Sequence, residues 1–381
     1  MKTLDFQTAT LNRKQRLLSE LQSAGVRIDA APSTAPSREG GAGPTDHKAI
    51  TVFGTTIMVP VHTRSAADSP FSTGQPNALG HAPLFENGES VATVSFPPEP
   101  SFYRHTTEDG IPYWKIAQLH SRTVLATTLL QTCIRYGNEA TKCQFCAIGA
   151  SLKAGRTIRE KTPAQLAEVA TVAKELDGID NVVMTTGTPP TPDRGAAVLT
   201  AAAAAIKEAT GLPIQAQCEP PADFAWFPRL RAGGVDALGM HLEAWDESVR
   251  NRIMPGKAEV PVSFYLEAFE AAVAVFGRGQ VSTYLLAGLG DSADGLLEAS
   301  ETLIALGVYP FVVPFVPVSG TPLAGHLPPD ASFMQAVLSP LGAMLEEAGM
   351  TSEKIKAGCA KCGACSALSA FEKKSQTQCP S

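Results

Sequence analysis

The feature that most constrains the fold of this chain is a regular alternation of strand-like and helix-like segments from about residue 115 onward. Runs of apolar or β-branched residues are separated by longer stretches with helical character. Strands that are joined by helices pair in parallel, and right-handed crossovers curl such a sheet into an open barrel. The predicted strands are residues 123–130, 181–186, 213–217, 237–241, 281–287 and 309–316, and the predicted helices are 163–176, 194–210, 223–232, 261–275, 292–306 and 330–348.

The predicted fold class is therefore α/β, a partial (β/α)6 TIM-like barrel over residues 115–328. It is flanked by an N-terminal α+β accessory region (1–114) and by a C-terminal helix and cysteine-rich tail (329–381). In such barrels ligands bind at the C-terminal ends of the strands. In the accessory region we expect a helix, a flexible Pro/Ser/Gly-rich linker and two short strands, and no residues with an evident chemical role. The ranges are 8–24, 31–45, 50–61 and 91–96, respectively.

Composition and charge exclude several classes of function. The chain has 44% apolar and 18% charged residues, as expected of a packed globular protein. Its net charge of −6 gives no general attraction to nucleic acid or to an anionic membrane, and no basic run suggests a nucleic-acid site. No window approaches the roughly 18 apolar residues of a membrane helix, and the N-terminus lacks the apolar core of a secretory signal. We therefore expect a cytoplasmic protein with a small-molecule substrate.

The cysteines form two clusters that suggest metal sites. Cys133, Cys143 and Cys146 follow the first barrel strand, whereas Cys359, Cys362 and Cys365 lie in the tail, and Cys218 and Cys379 stand apart. Cysteine clusters in a cytosolic chain usually hold a metal. Three thiolates on one loop leave one iron of a four-iron cluster free to bind a small molecule. The alternatives for the first cluster are a zinc site or isolated cysteines in the core.

The first cysteine loop, with its Cys143-Gln-Phe-Cys146 sequence directly after a strand, resembles the radical S-adenosylmethionine (SAM) superfamily. Residues 120–325 are similar to its biotin synthase and lipoyl synthase branch. The usual loop has three residues between its first two cysteines, and this chain has nine. That C-x9-C-x2-C spacing resembles an atypical subgroup often associated with nitrilase gene clusters, which would point to small nitrogen-containing metabolites.

The resemblance implies a specific chemistry. The three cysteines would hold a [4Fe–4S] cluster whose open iron chelates SAM. Reductive cleavage of SAM would then give a 5′-deoxyadenosyl radical that abstracts hydrogen from the substrate. The resemblance also implies a reductant such as flavodoxin or ferredoxin.

The resemblance further implies a set of SAM-binding residues. Phe145 would pack near the adenine, and Thr186 and Gly187 would form the turn that meets the methionyl amino group. His241 and Glu243 would meet the ribose, and Arg252 the carboxylate, although a solvated helix face is the alternative for Arg252. Gly288 lies on the fifth strand, whose backbone would run beside the adenine. A Pro/Gly-rich run at 314–323 matches the family in position.

The tail cysteines suggest a second centre. Two-residue gaps let Cys359, Cys362 and Cys365 wrap one cluster, as in ferredoxin loops, where a Cys-Pro pair such as Cys379-Pro380 often completes the ligand set. We expect a second, auxiliary [4Fe–4S] cluster; zinc and a disordered tail are the alternatives. Without Cys379 as a ligand, the auxiliary iron would be open to substrate. Sulfur donation, electron relay and substrate anchoring all stay open as its role.

The sequence therefore predicts a radical SAM enzyme of unspecified reaction. One alternative is a non-enzymatic iron–sulfur or zinc protein that acts as an electron carrier or scaffold. Another is a barrel hydrolase with a structural zinc tail, although no nucleophile or carboxylate pair stands out for it. Cys218 either lines the barrel mouth or is simply buried.

Overall fold

The computed structural model describes residues 2–28 and 47–372, with side chains from Leu11 onward. The predicted linker at 31–45 and Cys379 lie outside these residues. None of the helices in the described ranges is both long enough and apolar enough to cross a membrane.

The N-terminal region consists of a long helix against a mixed six-stranded sheet. The strand order is β1-β4-β5-β6-β2-β3, antiparallel except for the β1–β4 pair. Leu17, Leu18 and Leu21 of the helix are buried, whereas Leu11 is exposed. The elements are α1 (Lys2–Ala24), β1 (Arg27–Ile28), β2 (His47–Val52), β3 (Thr55–Pro60), α2 (Arg64–Ala67), β4 (Phe71–Thr73), β5 (His81–Glu86) and β6 (Glu89–Ser95), followed by a 3-10 turn at Ser101–Arg104.

The predicted single strand at 50–61 is wrong, because the chain reverses within it. Phe53 and Gly54 both have positive φ angles and form the turn between β2 and β3. The sequence shows only Gly54 as a turn signal there, within an otherwise continuous β-branched run. Between the two predicted strands, the structure also contains β4 and β5.

A seven-stranded sheet forms the open barrel. Its order is β13-β12-β11-β10-β9-β8-β7, with β8 to β13 parallel and β7 antiparallel at one edge. This confirms the predicted fold class, including the six parallel strands and their intervening helices. The strands are β7 (Gln118–His120), β8 (Val124–Thr128), β9 (Asn181–Thr185), β10 (Ile214–Gln217), β11 (Ala237–Gly239), β12 (Val281–Ala287) and β13 (Val308–Pro314).

The barrel helices begin and end within a few residues of their predicted bounds. Thr162 caps the helix that begins at Pro163, and it forms a full capping box with Gln165. The helices are α3 (Tyr113–Ile116), α4 (Ile148–Lys153), α5 (Pro163–Asp177), α6 (Ala196–Thr210), α7 (Trp226–Ala232), α8 (Glu247–Ile253), α9 (Pro255–Ala258), α10 (Val262–Phe276), α11 (Ala293–Leu306), α12 (Ala331–Glu347) and α13 (Cys359–Cys362), with 3-10 turns at Ser352–Lys354 and Ala367–Ala370.

The N-terminal region and the tail pack against each other beside the barrel. The N–H of Met58 on β3 donates to the carbonyl of Ala364 at 2.7 Å, and the Gln22 amide of α1 donates to the same carbonyl at 3.0 Å. Ala364 is fully buried. The accessory region therefore covers the tail cysteines directly.

Candidate functional site

The first cysteine loop lies across the C-terminal end of the barrel and is held from three sides. The Ile134 N–H donates to the Thr188 carbonyl at 2.9 Å, and the Gln144 N–H donates to the Ile253 carbonyl at 2.8 Å. The Leu323 N–H donates to the Gln144 carbonyl at 3.3 Å, which brings in the chain after β13. The loop is thus fixed by segments that follow three different strands.

The three thiols of this loop lie near one another and are partly buried. The Cys146 N–H donates to the Cys143 carbonyl at 3.0 Å, and Cys133 is close enough to influence both thiols electrostatically. Burial raises the pKa of Cys143 to about 12 and that of Cys146 to about 11. Both thiols are therefore protonated at neutral pH and poor nucleophiles. A bound metal would take them as thiolates.

Gly187 lies against the start of the cysteine loop. Its N–H donates to the Leu130 carbonyl at 2.9 Å, and a Cβ at this position would lie 2.1 Å from the Thr132 carbonyl oxygen. No side chain fits in that space. The neighbouring Thr186 hydroxyl donates to the Gly187 carbonyl at 2.9 Å. The predicted turn at Thr186 and Gly187 thus directly supports the residue before Cys133.

His241 and Glu243 follow β11 and face the same mouth. Glu243 has a positive φ of 68°, and its carboxylate pairs with Lys257 at 3.1 Å. Both of these side chains are nearly inaccessible to solvent. His241 Nδ1 accepts the Tyr284 N–H at 3.2 Å, and burial lowers the pKa of His241 to about 4. Its neutral ring therefore carries its proton on Nε2.

The other predicted SAM-binding residues occupy two further places. Phe145 packs with Cys143 against a small apolar cluster that includes Ile253 and Phe315. Arg252 is exposed, and its guanidinium donates to the Leu289 carbonyl at 3.1 Å, one residue after Gly288.

Arg250, in contrast, is fully buried and has a structural role. Its guanidinium donates to the carbonyls of Leu242 and Val260 and lies over the Tyr265 ring. Of the two arginines on α8, Arg252 is therefore the one with an accessible cation.

The mouth also contains charged residues that the sequence analysis did not assign. Arg135 forms an ion pair with Glu219, and the Thr188 hydroxyl donates to the same carboxylate at 2.8 Å. The Arg135 Nε donates to the Gly256 carbonyl at 2.6 Å. Glu219 follows the end of a predicted strand, and this position could have indicated that it belongs to the site. Arg135 and Lys257 are far apart in sequence, so no local sequence motif indicated that they belong to the same site.

Four buried polar atoms at this end have no hydrogen-bond partner within the described part of the chain. They are Thr128 Oγ1, Gln131 Oε1, Glu219 Oε2 and His241 Nε2. All four residues stand at or just beyond the C-terminal ends of β8, β10 and β11. Buried polar groups are costly unless paired, so unpaired ones clustered at a strand end indicate a ligand. The donors and acceptors suit the amino, carboxylate and hydroxyl groups of SAM, and the nearby thiols suit an iron–sulfur cluster.

The tail cysteines lie at the opposite end of the barrel. The Gly358 N–H donates to the Asn181 side chain at 3.1 Å, and the Cys359 N–H donates to the Gln215 side chain at 3.0 Å. Asn181 begins β9, and Gln215 is the second residue of β10. The Ser366 hydroxyl donates to the Val312 carbonyl of β13 at 2.6 Å. The tail cysteine loop, residues 358–366, is therefore inserted against the inner face of the sheet from its N-terminal end.

Polar side chains of the barrel surround the tail thiols. The Gln217 amide donates to Cys359 Sγ at 3.2 Å, and the Tyr284 hydroxyl hydrogen-bonds to both Cys359 and Cys365. His120 Nε2 lies 3.4 Å from Cys365 Sγ. Burial raises the pKa of Cys362 to about 11, so this thiol too is protonated without a metal.

As the side chains stand, residues 2–28 and 47–372 contain no group of three or more His, Cys, Asp or Glu positioned to hold a single metal ion. The thiolates of a four-iron cluster are spaced more widely than the ligands of one ion. Assignment of Cys133, Cys143 and Cys146, and of Cys359, Cys362 and Cys365, as ligands stays a prediction.

Cys218 belongs to neither cluster. It is buried in the main core, and burial raises the pKa of its thiol to about 12. Of the two interpretations, the geometry favours a packed core cysteine over a reactive one.

Comparison with known proteins finds a family match within the barrel region. Residues 138–303 match the Radical SAM superfamily. Over 125 residues the chain is 34% identical to bacteriochlorophyllide c C-7(1)-hydroxylase of Chlorobaculum limnaeum. That match covers 32% of this chain and 31% of the hydroxylase, so the chain spans about a third of that relative's length.

Solved structures give more distant similarities. Methylornithine synthase (PylB) aligns with a TM-score of 0.45 and 19% identity, covering 58% of this chain and 62% of that one. A radical SAM methyltransferase from Sphaerobacter thermophilus aligns with a TM-score of 0.45 and 16% identity, covering 74% and 75%. HydG, a maturase of the [FeFe]-hydrogenase, aligns with a TM-score of 0.45 and 13% identity, covering 58% and 50%.

Proposed function

We propose that this chain is a radical SAM enzyme, in which Cys133, Cys143 and Cys146 hold a [4Fe–4S] cluster that binds SAM at the barrel mouth. The match of residues 138–303 to the Radical SAM superfamily supports this proposal. When bound, the cluster and SAM supply reductive cleavage of SAM to a 5′-deoxyadenosyl radical, which abstracts hydrogen from the substrate. The protein supplies binding, orientation and exclusion of water.

The observation that carries this proposal is the convergence of the cysteine loop with the unpaired buried polar atoms at one end of the barrel. The same residues would be difficult to explain in a structural zinc site, which needs ligands but no empty hydrogen-bonding positions. His241 Nε2 offers a donor, and Glu219 Oε2 offers an acceptor, in a region where water is largely excluded.

The ion pair between Glu243 and Lys257 would place opposite charges beside the first cysteine loop. Cys143 is close enough to both side chains for their charges to influence its thiol. A zwitterionic ligand such as the methionyl group of SAM suits such a pair, because each of its charges finds a partner. Arg252, accessible on α8, would supply a further cation for the carboxylate.

We propose a small-molecule substrate and an external one-electron reductant such as flavodoxin or ferredoxin. The acidic net charge of −6 opposes binding to polyanions. The hydroxylase from Chlorobaculum limnaeum is similar over only about a third of its length. We therefore propose that this chain shares the radical SAM chemistry of that enzyme, and we do not propose that it shares the substrate.

We further propose that Cys359, Cys362 and Cys365 hold a second, auxiliary [4Fe–4S] cluster. The tail cysteine loop is largely buried, and each of its thiols contacts a polar side chain of the barrel or of β7 and its adjoining turn. Ferredoxin-like spacing, with hydrogen bonds from neighbouring side chains to the thiols, is typical of cluster sites.

The test is iron and acid-labile sulfide per chain after anaerobic reconstitution, followed by a 5′-deoxyadenosine assay with dithionite. Two four-iron clusters correspond to about 8 irons. Cys143→Ala should abolish SAM cleavage and retain about 4 irons, whereas Cys362→Ala should retain the first cluster. Cys218→Ala, in the core, is the control and should keep both. SAM cleavage by the Cys143→Ala protein would overturn the first assignment.

A further inference from the structure

We propose that Lys153, Arg156 and Arg159, together named the basic surface, form a docking site for a small acidic electron-transfer protein beside the first cysteine loop. This inference rests on the proposed function, because it gives the external one-electron reductant a place to bind. Its test separates failure of the docking site from failure of the proposed function.

The segment that carries the first cysteine loop differs in charge from the rest of the chain. Residues 131–161 contain six lysines and arginines but only two glutamates, whereas the whole chain has a net charge of −6. Three of the six cations are covered. Arg135 and Lys161 are buried, and the Lys142 side chain is only 11% exposed. The basic surface consists of the other three.

The cations of the basic surface are available to a partner. Lys153 and Arg159 are exposed, and Arg156 is half-buried. None of the three forms an ion pair with another residue in the described part of the chain. Glu160 is the only acid within residues 147–161. Cations that no internal acid pairs with attract an acidic protein and speed its approach.

Helix α4 places the basic surface next to the first cysteine loop. It begins at Ile148, two residues after Cys146, and ends at Lys153, so its six residues span about 9 Å. The helix also packs closely on the loop, since a Cβ at Gly149 would lie 2.5 Å from an edge atom of the Tyr136 ring. The basic surface and the loop therefore form one continuous part of the structure.

The chain after α4 returns to the beginning of the same loop. The Arg156 N–H donates to the Ser151 carbonyl at 2.9 Å, which folds this segment back onto α4. The Gln131 N–H, two residues before Cys133, donates to the Arg159 carbonyl at 2.8 Å. A protein docked here would have a short electron path to the loop. One electron would leave the partner's reduced cofactor and reduce the centre in the loop, and no bond would form or break at the surface.

An acidic protein fits this surface better than a nucleic acid does. Three cations neutralise few phosphates, and the net charge of −6 opposes a polyanion over the rest of the molecule. The loop also exposes an apolar side chain, because Ile134 is 44% accessible to solvent. Protein interfaces combine exposed apolar groups with arginine and a polar rim.

The experiment measures the affinity of the full chain for an oxidised acidic flavodoxin and for an oxidised acidic ferredoxin by calorimetry, before and after iron–sulfur reconstitution. Affinity for the probe that binds should fall by about tenfold or more at low salt in Lys153→Glu/Arg156→Glu/Arg159→Glu. Wild-type affinity should also fall as salt rises from about 20 to about 300 mM, because the added ions screen the charges.

The control variant is Arg229→Glu/Lys354→Glu/Lys356→Glu, which changes the net charge equally at three exposed cations outside the basic surface. The Lys354 carbonyl accepts from Gln280, directly before β12, so this part of the control lies at the opposite end of the barrel. We expect the control to bind each probe within about twofold of the wild type.

Activity provides an independent comparison. Production of 5′-deoxyadenosine with the reduced form of the probe that binds should fall in the variant of the basic surface. Production with dithionite should stay unchanged, because a small chemical reductant needs no docking site.

Three results would overturn the docking site: equal affinity of the wild type and the variant of the basic surface, no binding of either probe to the wild type at low salt, or an equal loss in the control variant. Binding of a single-stranded RNA that is lost only in the variant of the basic surface, with both protein affinities unchanged, would assign the surface to a nucleic acid instead. Salt-dependent binding of a probe without SAM cleavage by dithionite would contradict the proposed function alone.

Discussion

The Tyr284 ring stacks on the His241 imidazole with 4.4 Å between ring centroids and 26° between planes. The hydroxyl of the same tyrosine hydrogen-bonds to the Cys359 and Cys365 thiols. His241 belongs to the mouth that faces the first cysteine loop, whereas the two thiols belong to the tail loop. One side chain on β12 therefore contacts both candidate sites and separates them.

Tyr284→Phe removes only the hydroxyl contacts and keeps the ring. We expect a loss of about 1 kcal/mol in the free energy of unfolding, measured by guanidinium denaturation of the metal-free protein. Tyr284→Ala also removes the stacking and leaves a cavity between the sites, so its expected loss is about 3–5 kcal/mol. Equal losses in the two variants would show that the ring contributes nothing to packing and would contradict its role in separating the two sites.

The close approach of Gly187 to the first cysteine loop gives a second prediction. In Gly187→Ala the new methyl group would meet the Thr132 carbonyl at 2.1 Å, so the backbone before Cys133 must move. We expect a destabilisation of about 1–3 kcal/mol and reduced iron uptake at the first site.

Gly137, in the same loop, is the matched control for Gly187. A Cβ there has no described heavy atom within 4 Å, and its φ is not positive. Gly137→Ala should leave iron uptake unchanged and stability equal or slightly higher, because alanine restricts the unfolded chain. Both readouts come from the same reconstitution and denaturation series. A similar loss of iron in the two variants would indicate general sensitivity of the loop and not the contact at Thr132.

Asp236 gives a pH-dependent prediction far from either cysteine cluster. Burial alone would raise the pKa of this carboxyl, but hydrogen bonds from Lys207 at 2.6 Å, the Ile214 N–H at 3.0 Å and Arg231 at 3.0 Å outweigh burial and lower it. A lowered folded-state pKa means that stabilisation is present above the ordinary value of 3.8 and is lost as the pH falls through the folded-state pKa.

Asp236→Asn should therefore be less stable than the wild type by about 1–2 kcal/mol at pH 7. The difference should persist at pH 5 and shrink toward pH 3, as measured by urea denaturation at the three values. A difference that stays constant down to pH 3 would show that the carboxylate charge is not what stabilises this corner of the barrel.

The barrel could be predicted from sequence because local signals and the fold agree at almost every element. Thr162 and Pro163 begin α5 as their residue types indicate, and β13 is a fully buried run without a charged or hydroxyl-bearing aliphatic side chain, as is typical of parallel strands. The accessory sheet was harder, because the turn at Phe53 and Gly54 interrupts one apolar run and gives two strands from what looks like one.

The candidate sites were likewise only partly predictable from the sequence. Cysteine spacing marked both clusters, since ligands of one centre are neighbours in sequence. The tail loop inserts at one end of the barrel because it contacts Asn181, Gln215 and Val312 there. These residues are far from the tail loop in sequence. His120, 245 residues from Cys365, was invisible for the same reason. Contacts of that kind are set by the fold and leave no periodic or spaced pattern.

The ion pair of Glu243 and Lys257 gives the last prediction. Their charged atoms are 3.1 Å apart, and their side chains are 13% and 10% exposed. Removing one partner leaves the other charge buried without compensation, so Glu243→Gln and Lys257→Met should each cost about 3–5 kcal/mol in the free energy of unfolding of the metal-free protein.

The double variant Glu243→Gln/Lys257→Met should cost clearly less than the sum of the single changes, because neither buried charge then remains. Denaturation of the four proteins under identical conditions closes the cycle and gives the coupling between the two side chains directly. Additive losses would mean that water already screens the pair. The mouth would then be too wet to hold SAM through these two charges, and the ligand contacts would have to come from His241 and Glu219 instead.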